Sequence, residues 1–151
     1  MHHRKIMITT EIILAVMFLI CGCAIYLFYR SKSLYIYQWC QLFGISDMID
    51  SCRHYARGYQ MSEFIKYSLP DGLYCAAYIL LVDAIWYDDN RIVKFLILSV
   101  VPIATVGSEL LQYFRIVRGT FDIRDLISYA IPSLVYYGIY QSNHNLKTEN
   151  L

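Results

Sequence analysis

The chain has 151 residues, of which 58% are apolar and 17% charged, with a net charge of +1; soluble domains carry about 25% charged residues. That deficit points to lipid, and the near-neutral balance without a basic run excludes a nucleic-acid-binding surface. No Ser/Gly/Pro-rich linker divides the sequence, so one domain spanning residues 1–151 is expected.

Residues 6–29, IMITTEIILAVMFLICGCAIYLFY, contain a single charge, and about 20 apolar residues suffice to cross a bilayer as a helix. A signal peptide is the competing interpretation, since ICGC is similar to a lipobox before an acylated cysteine. Two features count against it: the run stays apolar through AIYLFY, and Glu11 interrupts what should be an uncharged core. Residues 6–29 are therefore expected to be the first span.

From Arg30 to Tyr67 the sequence is polar, aromatic and too broken to span. Ser46 or Asp47 can cap a short helix in which Ile45, Ile49, Cys52 and Ala56 share one side, while Asp50, Arg53 and Arg57 face the other. Together with LYIYQWCQLF, which carries Trp39, this segment is expected to lie along the membrane interface.

SLPDG at 68–72 reads as a helix start, with Ser68 as cap, Pro70 in the first turn and Asp71 facing the positive end of the dipole. The second span then covers 71–87 and contains Asp83. YDDNR forms a tight connection, the third span covers 92–114, and the fourth covers 123–140, with kinks expected at Pro102 and Pro132. A polar tail, QSNHNLKTENL, follows. The predicted fold is all-α: an integral membrane bundle of four transmembrane helices with an interfacial helical segment between helices 1 and 2.

Four spans leave both termini on one face, side B, and gather the unusual residues on the other, side A. Asp71, Glu109, Gln112, the 115–122 connection, Asp122 and Asp125 should all lie at one depth. Residues three apart on a helix share a face, so Glu109 and Gln112 point together, as do Asp122 and Asp125. Arg115, Arg118 and Arg124 supply cations to pair with them. Carboxylates left alone below the headgroups are costly, so a polar cleft between helix ends is expected. The plainer interpretation makes Asp71, Asp122 or Asp125 helix caps and the arginines loop charges. Glu109 resists it, because it stands a turn or more inside an apolar helix. Asp83 is balanced between the two interpretations, and Glu11, close to Lys5, reads as an interface residue.

Other chemistry finds little footing. The five cysteines form no CxxC pair and read mostly as small buried hydrophobes rather than a disulfide framework. The histidines lack metal-ligand spacing, and neither a GxSxG nucleophile elbow nor a Gly-rich phosphate loop is present. No cofactor and no dedicated metal site are expected. Catalysis, if any, would use the carboxylates as acid and base or as ligands for a hard cation.

The stretch ELLQYFRIVRGTFDIRDLISY resembles the VanZ-like family of small bacterial membrane proteins. Glu109, Gln112, Asp122 and Asp125 match the family's Glu, Gln three residues on, and pair of polar or acidic positions opening the next span. SLPDGLYCAAYILLVDAIW is similar to the segment before that motif. Gly119 stands nearest the family's Arg, with Arg118 one position earlier, while Tyr129 and Pro132 replace an Asn and a Gly. The resemblance implies a multi-pass protein of the bacterial inner membrane with a role at the cell envelope. It would bind or respond to amphiphilic antimicrobials of glycopeptide type, or to lipid-linked wall intermediates, through an acidic cleft lined by Glu109, Gln112, Arg118, Asp122, Asp125 and Asp71. An enzyme acting on a lipid-linked substrate and a purely structural membrane subunit are the alternatives.

Orientation is set by opposing signals. Side A carries eight Lys and Arg (Arg30, Lys32, Arg53, Arg57, Lys66, Arg115, Arg118, Arg124) and side B five (Arg4, Lys5, Arg91, Lys94, Lys147), which favours side A inside. The basic tip before a long first span favours side A outside, the orientation expected here.

Overall fold

The computed structural model describes residues 2–56, 58–87 and 91–149, and the side chains of 4–56, 58–87 and 92–139. Arg57 and most of the expected YDDNR turn lie outside the described residues. Seven helices occur among those described: α1 His2–Tyr29, α2 Tyr35–Leu42, α3 Ser46–Ala56, α4 Glu63–Tyr67, α5 Leu69–Ile85, α6 Arg91–Tyr113 and α7 Ile123–Glu149. No strand is present among the described residues.

Among the described residues three helices are long and apolar enough to cross a membrane: Arg4–Tyr29, Phe64–Ile85 and Ile92–Tyr113. Helix α7 starts where the fourth span was expected but continues to Glu149, where the sequence suggested a polar tail.

Helix α5 is the centre of the bundle. It packs on α1, α7, α6 and α4, and 44% of its apolar span is buried against 11% for each of the other two. Its buried side is Cys75, Ile79 and Val82, joined by Leu98 of α6, with Tyr129 and Tyr136 of α7 packed against them. The outer faces of α1 and α6 leave Ile13, Met17, Ile20, Leu96, Val100 and Ile103 exposed. In water such surfaces would cost stability in proportion to their apolar area; against acyl chains they cost nothing.

The α5–α7 crossing is set by backbone. Pro132 has no N–H to give the Ser128 carbonyl four residues earlier. Gly72 occupies the gap: a Cβ there would stand 2.7 Å from the Ser128 carbonyl oxygen. Cys75 adds an Sγ contact of 3.8 Å to the next carbonyl, that of Tyr129. In α6, Pro102 likewise interrupts the ladder, and the Tyr78 hydroxyl donates to the nearby Ile97 carbonyl at 2.5 Å. Neighbouring helices thus meet carbonyls beside both prolines, as membrane helices require.

Two local expectations are corrected. Ser68 makes no side-chain capping bond to α5; α4 precedes it directly, capped by Ser62 through a 3.4 Å bond from the Ile65 N–H. Ser68 is instead enclosed between the two helices, with a relative exposure of 1%. In α3 the buried positions are Ile49 and Arg53, whereas Ile45 and Cys52 are exposed. The reason is the end of α1. Arg53 donates to the Leu27 carbonyl at 2.6 Å and the Arg30 carbonyl at 2.9 Å, with its guanidinium 5.0 Å from the Tyr37 ring centroid. A cation on the orphan carbonyls of a helix C-terminus meets both the hydrogen-bond and the dipole requirement.

Candidate functional site

The side-A site is built on the end of α6. The Arg115 and Ile116 N–H groups turn back to the Gln112 and Leu111 carbonyls, both at 2.9 Å, and Arg115 takes a positive φ of 58°. This is a Schellman closure with arginine where glycine is usual. The connection then folds over α6 at Gly119, whose φ is 151° and where a Cβ would meet the Gln112 amide at 2.6 Å. Gln112 is therefore a support for the loop. Arg118 is exposed and does not line the cavity described below.

Asp122 closes the loop as the N-cap of α7, its Oδ1 accepting the Arg124 N–H at 2.8 Å. Glu109, only 5% exposed, reaches across from α6 to accept the Asp122 N–H at 3.2 Å. One carboxylate caps the helix and the other receives the cap residue's own amide, so α6 and α7 are tied at the positive end of a helix dipole.

Asp71 and Asp125 belong to the same neighbourhood. Asp71, on the first turn of α5, is within electrostatic reach of Asp125, Glu109 and Arg30, and lies against the Tyr129 phenol. Asp125 differs from the others in that its Oδ1 is buried with no hydrogen-bond partner. Beside it opens a cavity of about 270 Å³, lined by Arg30, Tyr67, Ser68, Thr120, Arg124 and Asp125 together with Glu63 and Asp122. Four of the six expected residues, Asp71, Glu109, Asp122 and Asp125, are thus brought together from three helices. Gln112 and Arg118 serve the loop or stand outside.

Of the three cations the sequence suggested, Arg124 lines the cavity while Arg115 and Arg118 do not. Arg124 pairs with Glu63 at 3.0 Å, both side chains at least half exposed. The cation facing Asp71 is Arg30, at the end of α1, which donates to the Tyr67 carbonyl at 3.1 Å. Its guanidinium lies 5.2 Å and 4.9 Å from the Tyr26 and Tyr67 ring centroids, and its Nε is buried without a partner. Tyr26, four residues earlier on the same helix face, accounts locally for a held Arg30 but carries no signal of Asp71 as its neighbour.

A second ionic group lies near side B. Lys94 of α6 forms an ion pair with Asp83 of α5, both largely buried, and the Tyr136 hydroxyl of α7 donates to Asp83 at 2.6 Å. Glu11 of α1 lies against both Asp83 and Lys94, with its Oε2 buried and unpartnered. The Lys94 ammonium also sits 5.8 Å from the Tyr87 ring centroid, and the Arg4 guanidinium 5.5 Å from the same centroid. Glu11 is therefore part of an internal cluster rather than an interface residue. Lys94 and Tyr136 were missed as its partners because only the fold sets them beside Asp83.

All five cysteines are free; Cys40 and Cys75 are buried, but Cys21 and Cys52 are exposed. Among the described residues no group of three or more His, Cys, Asp or Glu converges as metal ligands. What the side-A arrangement offers is a small chamber with acceptors in excess, set where apolar helices end. No protein-family model, curated protein or solved structure matches the chain.

Proposed function

We propose that the chain is a VanZ-like integral membrane protein of the bacterial inner membrane, with α7 as a fourth span and α2–α3 lying in the interface. At side A it binds the polar head of a lipid-linked or otherwise amphiphilic molecule, and so alters how the envelope responds to glycopeptide-type antimicrobials. The observation that supports this most is the meeting of Asp71, Glu109 and Asp125 beside a cavity lined by Asp125, at the level where the spans give way to loops. Charged groups at membrane depth are costly, and a bundle retains them where they pair or serve a ligand. Exposed Trp39, Phe43, Tyr55 and Met48 on the short helices supply the aromatic and apolar contacts suited to headgroup depth.

At about 270 Å³, the chamber sits just under the ~300–1,000 Å³ range of small-molecule sites. It admits a headgroup and is too small for a whole glycopeptide, so the antimicrobial response would follow from the lipid bound. The test is growth inhibition by a glycopeptide in a bacterium expressing the wild-type chain, Glu109→Gln or Asp125→Asn, with protein accumulation measured in parallel. A shift for wild type that disappears in both variants at equal accumulation supports the proposal. An unchanged response in cells that accumulate wild type contradicts it.

A further inference from the structure

The cluster at the Lys94 end is short of one donor. The Lys94 ammonium and the Tyr136 hydroxyl both go to Asp83 Oδ1. From α1, the Glu11 side chain comes into hydrogen-bond contact with the same Asp83 carboxyl, and its Oε2 is buried with no partner. A hydrogen bond needs a donor, and two ionised carboxylates offer only acceptors. The charge count agrees. Glu11 and Asp83 are two acids, and the cation acting on Glu11 is Lys94. On α1, Arg4 and Lys5 are exposed, and the Arg4 guanidinium stands over the Tyr87 ring. Helix α7 presents the neutral Tyr136 phenol, and the side chains of Asp88, Asp89 and Arg91 lie outside the described residues. An uncompensated charge within a span is costly, and two carboxyls a hydrogen bond apart resist ionising together.

We infer that Glu11 and Asp83 share one proton, and that the clasp joining α1 to α5, α6 and α7 near side B stays closed only while that proton is held. The proton belongs to the pair rather than to either residue. It turns two repelling carboxylates into a donor and an acceptor, and it leaves a single negative charge opposite the Lys94 ammonium. Its loss sets Glu11 against Asp83. Because Asp83 is bonded to both α6 and α7, the helix that yields is α1, of whose span only 11% is buried. Enclosure of the Glu11 oxygen suits this device, since a proton needs no cavity: it enters when α1 and α5 part locally and is trapped when they close. The side-B end is thus a lock that responds to pH, separate from the headgroup site at side A and independent of that proposal.

The experiment uses the full chain in detergent micelles, wild type beside Glu11→Gln and Asp83→Asn, with two readouts. The first is the infrared C=O stretch of protonated carboxylic acids at neutral pH. Wild type should show one such group more than either variant: glutamine carries no acid proton, and in Asp83→Asn the remaining Glu11 ionises against Lys94. Equal intensity in wild type and either variant overturns the inference, and a band that survives Asp83→Asn alone would place the proton on Glu11 without sharing. The second readout is the thermal unfolding midpoint against pH. A released glutamate sheds its proton near pH ~4.3, so the lock is fully made below that and weakens as rising pH strips the folded pair. Over that interval the wild-type opening equilibrium should shift by up to about tenfold per pH unit. Glu11→Gln keeps the shape and supplies a neutral donor, so it should fold, flatten this dependence and exceed wild type at high pH. Parallel curves for the two chains, or a Glu11→Gln chain that fails to accumulate where wild type does, would contradict a proton on the pair.

Discussion

At the Lys94 end of the bundle, Asp83 meets a cation from α6 and a hydroxyl from α7, while at the Asp125 end three carboxylates gather with one arginine near them and Asp125 Oδ1 meets nothing. Both clusters join the central helix α5 to its neighbours, and both lie at helix ends. Each end leaves one carboxylate oxygen unpartnered, Glu11 Oε2 and Asp125 Oδ1, but only the Asp125 end lies beside a cavity, and that separates two uses of charge in lipid. An ion pair drawn from neighbouring helices locks them together, whereas carboxylates gathered beside a cavity leave room for a ligand from outside. Only the second kind is a site, and removing charge should affect the two ends in opposite ways.

The largest effect is expected from Lys94→Met, which strands Asp83 and Glu11 without their cation. Breaking one side of a buried ion pair costs ~3–5 kcal/mol, to be read as a large fall in the thermal unfolding midpoint in detergent. Adding Asp83→Asn in the same chain should recover part of that loss, because the stranded charge goes with it. No recovery in the double variant would show that Lys94 acts by packing alone.

Gly72→Ala should rank next. Its Cβ would stand 2.7 Å from a backbone oxygen that cannot swing aside, and overpacking at such a contact costs ~1–3 kcal/mol. A neutral result would mean that α5 and α7 cross less closely than described. Removing the guanidinium of Arg53, with two bonds to α1 carbonyls, should cost at least as much, since hydrogen bonds to charged groups contribute ~1.5–3 kcal/mol each. Arg53→Met is the variant to measure, followed by hydrogen exchange at the end of α1, where protection should fall first.

The smallest effect belongs to Glu63→Gln. Its pair with Arg124 is at least half exposed on both sides, and exposed pairs contribute ~0–1 kcal/mol. An unfolding midpoint within a degree or two of wild type is expected, and a large fall would show that the cavity wall depends on this pair.

Connectivity made the side-A gathering legible before any coordinates. Glu109 and Gln112 end one helix, Asp122 and Asp125 open the next, and the chain must bring them to one depth. Local chemistry also announced Asp122 as a cap. What the sequence did not disclose were the partners drawn from far along the chain: Arg30 beside Asp71, Arg53 on the end of α1, Lys94 and Tyr136 on Asp83. A helical period tells which residues share a face but not which helix that face meets. Glu109 changed standing for the same reason. Its acidic side chain lies deep in an apolar run, yet its bond is to the Asp122 amide, and the side-A carboxylate oxygen without a partner is on Asp125. The arginines near the motif in sequence, Arg115 and Arg118, proved to belong to the turn.

The most direct measurement is the unfolding midpoint of Asp125→Asn beside that of Lys94→Met, in the same detergent with added lipid removed. If the Asp125 end is a ligand site and the Lys94 end a structural lock, Asp125→Asn should unfold at or above the wild-type temperature, relieved of repulsion from Asp71 and Glu109, while Lys94→Met falls far below it. An Asp125→Asn variant that loses as much stability as Lys94→Met would contradict the distinction and make both clusters structural.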